Sequence, residues 1–319
     1  MSKKILIIPA RRHVAEAYSE YLIRYLGDEF DIQMGYPSLN NDSPLAKNAD
    51  DFDLIYPHFD THWFLDPPEK YVKKIVNIQF EPGGTRFPTV SACTSEPVHK
   101  SFEHNHHLRF GIDTELFKPF KQPKDKKLHV GFLGNIQTPR RYMKELVMPI
   151  ADIEGVKLDI YPTNWAPYVR PDELEAMGGQ KVLDNIVDGD KVWSGLPNLY
   201  NRMDVYVRVD INPGYQYSLV EAAACGVPIV TTDPGLGKEI CNAGGGIYVE
   251  CKEGDWDPKV LEELSDHINL AIEELKDEKT RKSMGMFGEG FTDNNYRWDI
   301  WIPKWREFFR EGIANAEKV

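Results

Sequence analysis

One segment, Pro213–Thr232, constrains the fold of this chain more than any other. It contains a loop, a run of helix formers over Leu219–Ala224, a glycine at position 226 and a β-branched run over 227–232. Glycine commonly ends a helix because it adopts the left-handed conformation without strain, and β-branched residues favour strands. A helix that leads directly into a buried strand is typical of the parallel sheets of α/β proteins.

Strand and helix signals alternate along the chain in two sets, which predicts an α/β fold with two Rossmann-like domains facing a cleft. The first set contains predicted strands over Lys4–Ile8, Phe30–Met34, Leu54–Tyr56, Ile75–Phe80 and Thr89–Cys93, and predicted helices over His13–Leu26 and Pro97–His104. The second set contains predicted strands over Leu128–Gly134, Lys157–Tyr161, Val182–Val187, Val205–Val209, Pro228–Thr231 and Gly246–Glu250. The lysine-rich stretch 121–127 between the sets has the composition of a linker.

Composition and charge argue against several classes of protein. With 319 residues, the chain is long enough for two domains that each bury a core. The net charge of −12 argues against a broad nucleic-acid or membrane-binding surface, and no apolar run approaches the length of a membrane span. The apolar run after the N-terminal lysines ends early, at Pro9, so we expect no export. The four cysteines lack metal or redox spacing, which favours a reducing, cytoplasmic location.

The start of the helix in Pro213–Thr232 has the features of a phosphate-binding site. The first backbone N–H groups of a helix have no partner within the helix and attract anions. Because Gly214 and Ser218 lie around this start, Tyr217 and Ser218 are predicted to donate backbone N–H groups to a phosphate. Glu221 lies about one turn further along the helix. Its carboxylate is therefore predicted to accept hydrogen bonds from sugar hydroxyls near that phosphate.

Six further segments carry recognisable motifs. They are Gly111–Pro119, Val130–Gly134 followed by Arg140 and Arg141, Leu199–Val207, Gly235–Ile240, Gly244–Val249 and Tyr296–Trp298. In this order, and together with Pro213–Thr232, they resemble the retaining glycosyltransferases of family 4, which are GT-B enzymes that use nucleotide sugars. The resemblance covers residues 109–298, whereas the first 108 residues match only in their alternation of strands and helices.

The resemblance implies a division of roles between the two domains. Residues 1–118 would carry the acceptor and would be joined by a returning C-terminal helix, 299–319, while residues 119–298 would bind the nucleotide sugar. In the first domain, His58 and Glu81 lie at or just after predicted strand ends, where the site residues of open α/β sheets are found. We expect them to orient or deprotonate an acceptor hydroxyl.

The resemblance also implies a chemistry without metal or other cofactor. Arg140 and Arg141 would bind the diphosphate and assist its departure, and Glu221 would bind the ribose hydroxyls. Arginine side chains and a helix N-terminus stabilise the charge that develops on a leaving diphosphate. By the same resemblance, transfer would proceed by a front-side step that retains the anomeric configuration.

The chain departs from the family pattern at three places. The family glutamate that lies eight residues before the second one is replaced by Pro213, which removes a carboxylate from the side of the transferred sugar. The family arginine after the first strand of the second domain is Asn135 here, which we also place in the donor site. The glycine-rich loop after the first strand is replaced by residues 9–13, so Arg11 and Arg12 are predicted to reach the phosphate with their side chains.

Other conspicuous residues fit structural roles better. His58 and His62 lack a third ligand, so no metal site is expected. Asp188–Asp190 resembles the Asp-x-Asp sequence of metal-dependent transferases but is predicted to be a turn, and the histidine-rich stretch 104–107 is predicted to be a polar loop. Aromatic residues at helical spacing near the C-terminus are predicted to pack in a core: Trp298, Trp301, Trp305, Phe308 and Phe309.

The sequence therefore predicts a cytoplasmic glycosyltransferase that moves a hexosyl or pentosyl group from a nucleotide sugar to an unidentified acceptor. That acceptor is a small molecule, a glycan or another biopolymer. Two alternatives stay open. One is a nucleotide-sugar epimerase or hydrolase on the same fold, and the other is a non-catalytic nucleotide-sugar binder that lost activity with the change at Pro213.

Overall fold

The chain divides into two compact units, and the first is assembled from both ends of the sequence. The computed structural model describes residues 2–9, 13–37, 46–58, 69–79, 90–93, 106–120, 122, 126–134, 136, 142–162, 180–185, 195–209, 216–251 and 257–318. The first unit comprises Met1–Gly111 and Trp298–Val319, and the second unit comprises Ile112–Arg297.

Strands and helices alternate in both units. The strands are β1 Lys3–Pro9, β2 Phe30–Met34, β3 Tyr36–Pro37, β4 Ala46–Lys47, β5 Leu54–His58, β6 Val76–Gln79, β7 Val90–Cys93, β8 His106–His107, β9 Leu128–Gly134, β10 Val156–Pro162, β11 Val205–Arg208, β12 Ile229–Thr231 and β13 Gly246–Tyr248. The α-helices are α1 His13–Leu26, α2 Gln180–Asn185, α3 Leu196–Arg202, α4 Tyr217–Ala224, α5 Leu236–Asn242, α6 Pro258–Glu274, α7 Glu278–Tyr296 and α8 Trp298–Glu317. A π-helix spans Met143–Val147, and 3-10 helices span Ala49–Asp51, Glu69–Lys74 and Met148–Asp152.

The first unit is built on parallel strands. One sheet has the order β2-β1-β5 and a second has the order β6-β7-β8. A parallel bridge between Ile55 and Ile75 connects them, because Ile75 directly precedes β6. In the register of β1 and β5, Pro9 is paired with His58, so both strands end at the same edge of the sheet.

The C-terminal helix α8 supplies much of the core of the first unit. The five aromatic residues that are predicted to pack in a core are all buried, which confirms that prediction. Trp305 is fully buried, and its indole Nε1 donates to the carbonyl of Arg109 at 2.9 Å. The centroid of its ring lies 5.0 Å from the ring centroid of Phe110 and 5.8 Å from that of Tyr56. The two ends of the chain therefore share one core.

The described strands of the second unit form a single parallel sheet in the order β10-β9-β11-β12-β13. All seven residues of β9 and all four of β11 are buried, as expected for inner strands of a parallel sheet that is covered on both faces. Each of the two long helices begins at an aspartate cap. Asp257 accepts from two backbone N–H groups of α6, and Asp277 accepts from the N–H of Thr280 in α7.

The segment that most constrains the fold forms the predicted helix, stop and strand. Helix α4 ends with the pair of hydrogen bonds of a Schellman motif, from Gly226 N to Ala223 O and from Val227 N to Ala222 O. Gly226 has φ +70°, the left-handed conformation that glycine adopts most readily. Strand β12 begins three residues later, so the prediction is confirmed.

Two predictions of local structure are wrong. Residues 182–185, predicted as part of a strand, lie in α2, where the side chain of Gln180 hydrogen-bonds to that of Asp184 one turn later at 3.0 Å. The predicted strand has the sequence Val-Leu-Asp-Asn-Ile-Val, and a segment this short does not distinguish a strand from a helix by its periodicity. His106 and His107 form β8 beside β7 rather than a loop. His106 also packs against Phe308 and bonds through Nε2 to Glu311 at 2.6 Å.

None of the helices within the described part of the chain has the length and apolar character needed to cross a lipid bilayer.

Candidate functional site

The candidate site lies at the carboxyl-terminal edge of the sheet in the second unit. Since the strands are parallel, their last residues meet at one edge, where ligands of open α/β sheets bind. The central strand β11 ends there at Arg208, and α4 begins nine residues later at Tyr217. Gln216 occupies the capping position of α4, but its side chain makes no capping hydrogen bond.

Two buried tyrosines hold the side chains of Ser218 and Glu221 in α4. Tyr200 of α3 donates its hydroxyl hydrogen to Oε2 of Glu221 at 2.7 Å. Tyr206 of β11 donates to Oγ of Ser218 at 2.9 Å. The two tyrosine rings contact each other edge to face, with centroids 5.7 Å apart. Ser218 and Glu221 are therefore fixed by neighbouring groups of one aromatic layer beneath the helix.

Burial keeps the hydroxyl of Tyr200 protonated. The pKa of Tyr200 lies well above its usual value, mainly because the side chain is fully buried and further because of the charge of Glu221. Burial, followed by the same carboxylate, also raises the pKa of the Cys225 thiol at the end of α4. Tyr200 thus remains a hydrogen-bond donor over the physiological pH range, and Glu221 is its acceptor.

A buried arginine lies beside the start of α4. Arg208 is 8% exposed, and its Nη1 donates to the carbonyl oxygen of Leu133 at 2.6 Å. Its Nη2 donates to Oε1 of Gln216, so the capping side chain is engaged by the arginine. Tyr206 Oη, whose single hydrogen is directed to Ser218, lies 3.3 Å from the same Leu133 carbonyl oxygen. The sequence analysis did not identify Arg208, although a cationic residue that ends the buried run Val205–Val207 was a visible signal.

The next strand end adds a second buried carboxylate. Thr231 donates through Oγ1 to the carbonyl of Arg208 at 2.8 Å and accepts from the backbone N–H of Asp233 at 3.0 Å. Oδ2 of Asp233 accepts from the N–H of Gly237 in the first turn of α5 at 2.8 Å. Further along α5, Lys238 lies over the ring of Tyr248, with its Nζ 4.7 Å from the centroid. Threonine, aspartate and lysine therefore all lie near the same sheet edge as Arg208.

The predicted donor-site residues are only partly described. Tyr217, Ser218 and Glu221 lie on α4, where Tyr217 and Glu221 are buried. Those outside the described residues are Arg11, Arg12, Asn135, Arg140, Arg141 and Gly214, and Pro213, which replaces the family glutamate, also lies outside them. Tyr142, directly after the predicted arginine pair, has φ 43° and ψ 50°, which is uncommon for a residue other than glycine.

Of the predicted acceptor residues, the structure describes His58, which lies at a strand end of the first unit. His58 is the last residue of β5, and its backbone pairs with Pro9, two residues before Arg11. Glu81 follows the end of β6 by two residues and lies outside the described residues, as does Asp188–Asp190. In the described ranges, no group of three His, Cys, Asp or Glu side chains is placed to hold a metal ion.

Comparison with known sequences finds a family match within the second unit. Residues 127–266 match the sequence model of the family described as glycosyl transferases group 1. A stretch of 118 residues, 36% of this chain, is 22% identical to the GtfA subunit of the UDP-N-acetylglucosamine–peptide N-acetylglucosaminyltransferase of Streptococcus parasanguinis. The match spans 22% of the length of that relative.

Comparison with solved structures identifies the fold. Sucrose-phosphate synthase from Thermosynechococcus elongatus superimposes with a TM-score of 0.70 at 14% identity, over 98% of this chain and 99% of that one. HepE from Anabaena, solved in complex with UDP-glucose, gives a TM-score of 0.65 at 15% identity, over 96% of this chain and 99% of that one. Together with the family match, these likenesses confirm the predicted GT-B fold class and the resemblance to family 4.

Proposed function

We propose that this chain transfers a sugar from a nucleotide sugar to an acceptor hydroxyl. The premise is that residues 127–266 match the group 1 glycosyltransferases and that the chain has a GT-B fold. The observation that carries the proposal is the pair of tyrosine-held side chains on α4. Ser218 and Glu221 are held by Tyr206 and Tyr200 at the sheet edge where ligands of α/β proteins bind.

The leaving diphosphate is stabilised at the start of α4. Cleavage of the sugar–phosphate bond develops negative charge on the diphosphate, and preorganised donors lower the free energy of that charge. The first N–H groups of α4, at Tyr217 and Ser218, supply such donors. Arg140 and Arg141 supply side-chain donors, and with these charges present the reaction needs no metal ion.

The ribose of the donor binds Glu221. A carboxylate accepts two hydroxyl hydrogens at once, and Tyr200 keeps this one in a single orientation through its 2.7 Å hydrogen bond. The acceptor binds the first unit, where His58 and Glu81 orient its hydroxyl. Transfer occurs on the face from which the diphosphate departs, so the anomeric configuration is retained.

The first experiment is a thermal-shift panel of nucleoside diphosphates and nucleotide sugars in the presence of EDTA. A uridine set has priority, because UDP-glucose is bound in the HepE structure and UDP-N-acetylglucosamine appears in the name of the GtfA relative. We expect one base to raise the melting temperature without metal, since a ligand that binds the folded state stabilises it. Absence of any shift would contradict the proposal.

Turnover of the nucleotide sugar identified by the panel separates the remaining functions. A transferase releases the nucleoside diphosphate only when an acceptor is present. Release in the absence of acceptor indicates a hydrolase, and interconversion of the donor sugar indicates an epimerase. Tight binding without turnover across a broad acceptor panel indicates a non-catalytic binder.

A further inference from the structure

Arg208 is a buried cation for which the described residues supply no opposite charge. It lies at the end of a strand whose preceding residues, Val205–Val207, are fully buried. Among the residues that the structure describes, its guanidinium hydrogen-bonds to two neutral acceptors, the Leu133 carbonyl and the Gln216 side chain, and no carboxylate pairs with it. Its Nε is buried and has no hydrogen-bond partner.

This arrangement leaves hydrogen-bonding capacity unused. A guanidinium carries five N–H donors, and the two hydrogen bonds to Leu133 and Gln216 use two of them. Burial of a charge is costly unless a counter-charge or a full set of hydrogen bonds compensates it. Within the described part of the chain, Arg208 is therefore a cation whose remaining donors suit an anionic acceptor.

The surroundings of Arg208 hold it in one place. Gly134 leaves room for the guanidinium, since a Cβ at that position would lie 2.7 Å from Nη1. The Leu133 carbonyl that accepts from Arg208 lies 3.3 Å from Oη of Tyr206, which holds Ser218. The guanidinium is thus connected to the end of β9 and to the capping residue of α4, and it lies next to the proposed phosphate-binding helix start.

We propose that Arg208 binds an anionic oxygen of the donor. This inference rests on the proposed function. The planar guanidinium forms paired hydrogen bonds with the oxygens of a phosphate or a carboxylate. In a nucleotide sugar these oxygens come from the diphosphate, or from a carboxylate on the sugar ring when the donor is a uronic acid. Arg208 is then a binding residue of the donor site, and a sugar carboxylate as its partner would make it a specificity residue.

The test compares the wild type with Arg208→Gln, Arg208→Lys and the control Arg202→Gln, which changes an exposed arginine at the end of α3. Calorimetry measures binding of the nucleoside diphosphate identified by the panel, its monophosphate, its hexose conjugate and its hexuronate conjugate. Urea unfolding verifies that each variant is folded.

If the diphosphate is the partner, Arg208→Gln weakens binding of the diphosphate and of both conjugates by about 10- to 100-fold, and binding of the monophosphate by less. If a sugar carboxylate is the partner, only the hexuronate loses affinity. Arg208→Lys keeps the charge but loses the fork, so we expect an intermediate affinity, and this variant carries the test if the Gln variant does not fold. Arg202→Gln should leave all four affinities unchanged.

Two different failures are distinguishable. If the wild type binds the diphosphate and a folded Arg208→Gln binds all four ligands equally well, Arg208 is a structural connection between β9 and α4, and the inference is wrong. If the wild type binds none of the nucleotides, the proposed function is wrong, and the inference fails with it.

Discussion

Ser218 and Glu221 of α4 each form a hydrogen bond with a tyrosine in another element. The sequence identifies Glu221 because it follows a helix start by one turn, but it does not identify Tyr200 as its partner. From the sequence, a tyrosine in an amphipathic helix is predicted to pack in the core. The direction of the Tyr200 hydroxyl cannot be predicted in this way, because it depends on how α3 packs against α4. Arg208 escapes prediction for the same reason, since its acceptors come from the end of β9 and the cap of α4.

Glu221→Gln is expected to weaken nucleoside diphosphate binding without unfolding the protein. The amide retains an oxygen that accepts from Tyr200, whereas the charged acceptor for the ribose hydroxyls is lost, so affinity should fall by about 1.5–3 kcal/mol. Calorimetry measures this loss.

The matched control for Glu221→Gln is Tyr200→Phe. It removes the hydroxyl beneath the carboxylate and should lower the free energy of unfolding by about 1–3 kcal/mol, with a smaller effect on affinity than Glu221→Gln. Equal nucleotide affinity for the wild type and Glu221→Gln would remove Glu221 from the ribose role.

At the scale of elements, sequence patterns predict structure well where the segment is long or carries a stop signal. Helix α1 has the predicted bounds, and α4 ends at the predicted glycine. The pattern fails for 182–185, because a segment with so few apolar residues fits either a strand or a helix. Helix α2 is supported by the side-chain hydrogen bond between Gln180 and Asp184. Glycines inside helices also limit prediction. The sequence does not indicate at which of them another element packs so closely that a side chain would not fit.

Helix α7 contains two glycines for which we expect opposite effects. Gly285 is buried, and a Cβ there would collide with the carbonyl oxygen of Gly226 at the end of α4. A Cβ at Gly290 would meet nothing within 4 Å. Gly285→Ala should therefore lower the free energy of unfolding by about 1–3 kcal/mol. Gly290→Ala should raise it by about 0.5–1 kcal/mol, because alanine is the better helix former.

Urea unfolding of both α7 variants against the wild type decides this prediction. Since each substitution adds one methyl group to the same helix, helix propensity is common to both and only the contact differs. A higher free energy of unfolding for Gly285→Ala than for the wild type would contradict the prediction. It would show that α7 moves away from α4 with little loss of stability.

At the scale of the molecule, the first unit is discontinuous in sequence, and α8 completes it. Helix α8 packs so closely that a Cβ at Gly312 would overlap the side chain of Val76 in β6 and lie 2.9 Å from Leu54 Cδ1 in β5. The aromatic spacing of α8 predicts a buried face, but the spacing alone does not identify the unit that covers it. The family resemblance supplies that information, since it implies a helix that returns to the first domain.

Trp305→Ala tests this organisation in the full chain. Trp305 is fully buried and donates to the Arg109 carbonyl, so its truncation should cost the first unit about 3–5 kcal/mol. Hydrogen exchange followed by mass spectrometry should show faster exchange in β1 and β5, while β9 and β11 exchange as in the wild type. Met286→Ala, which changes an exposed residue of α7, should leave exchange unchanged in both units. Equal acceleration in both units would mean that they unfold together, because local opening within one cooperative unit raises exchange only there.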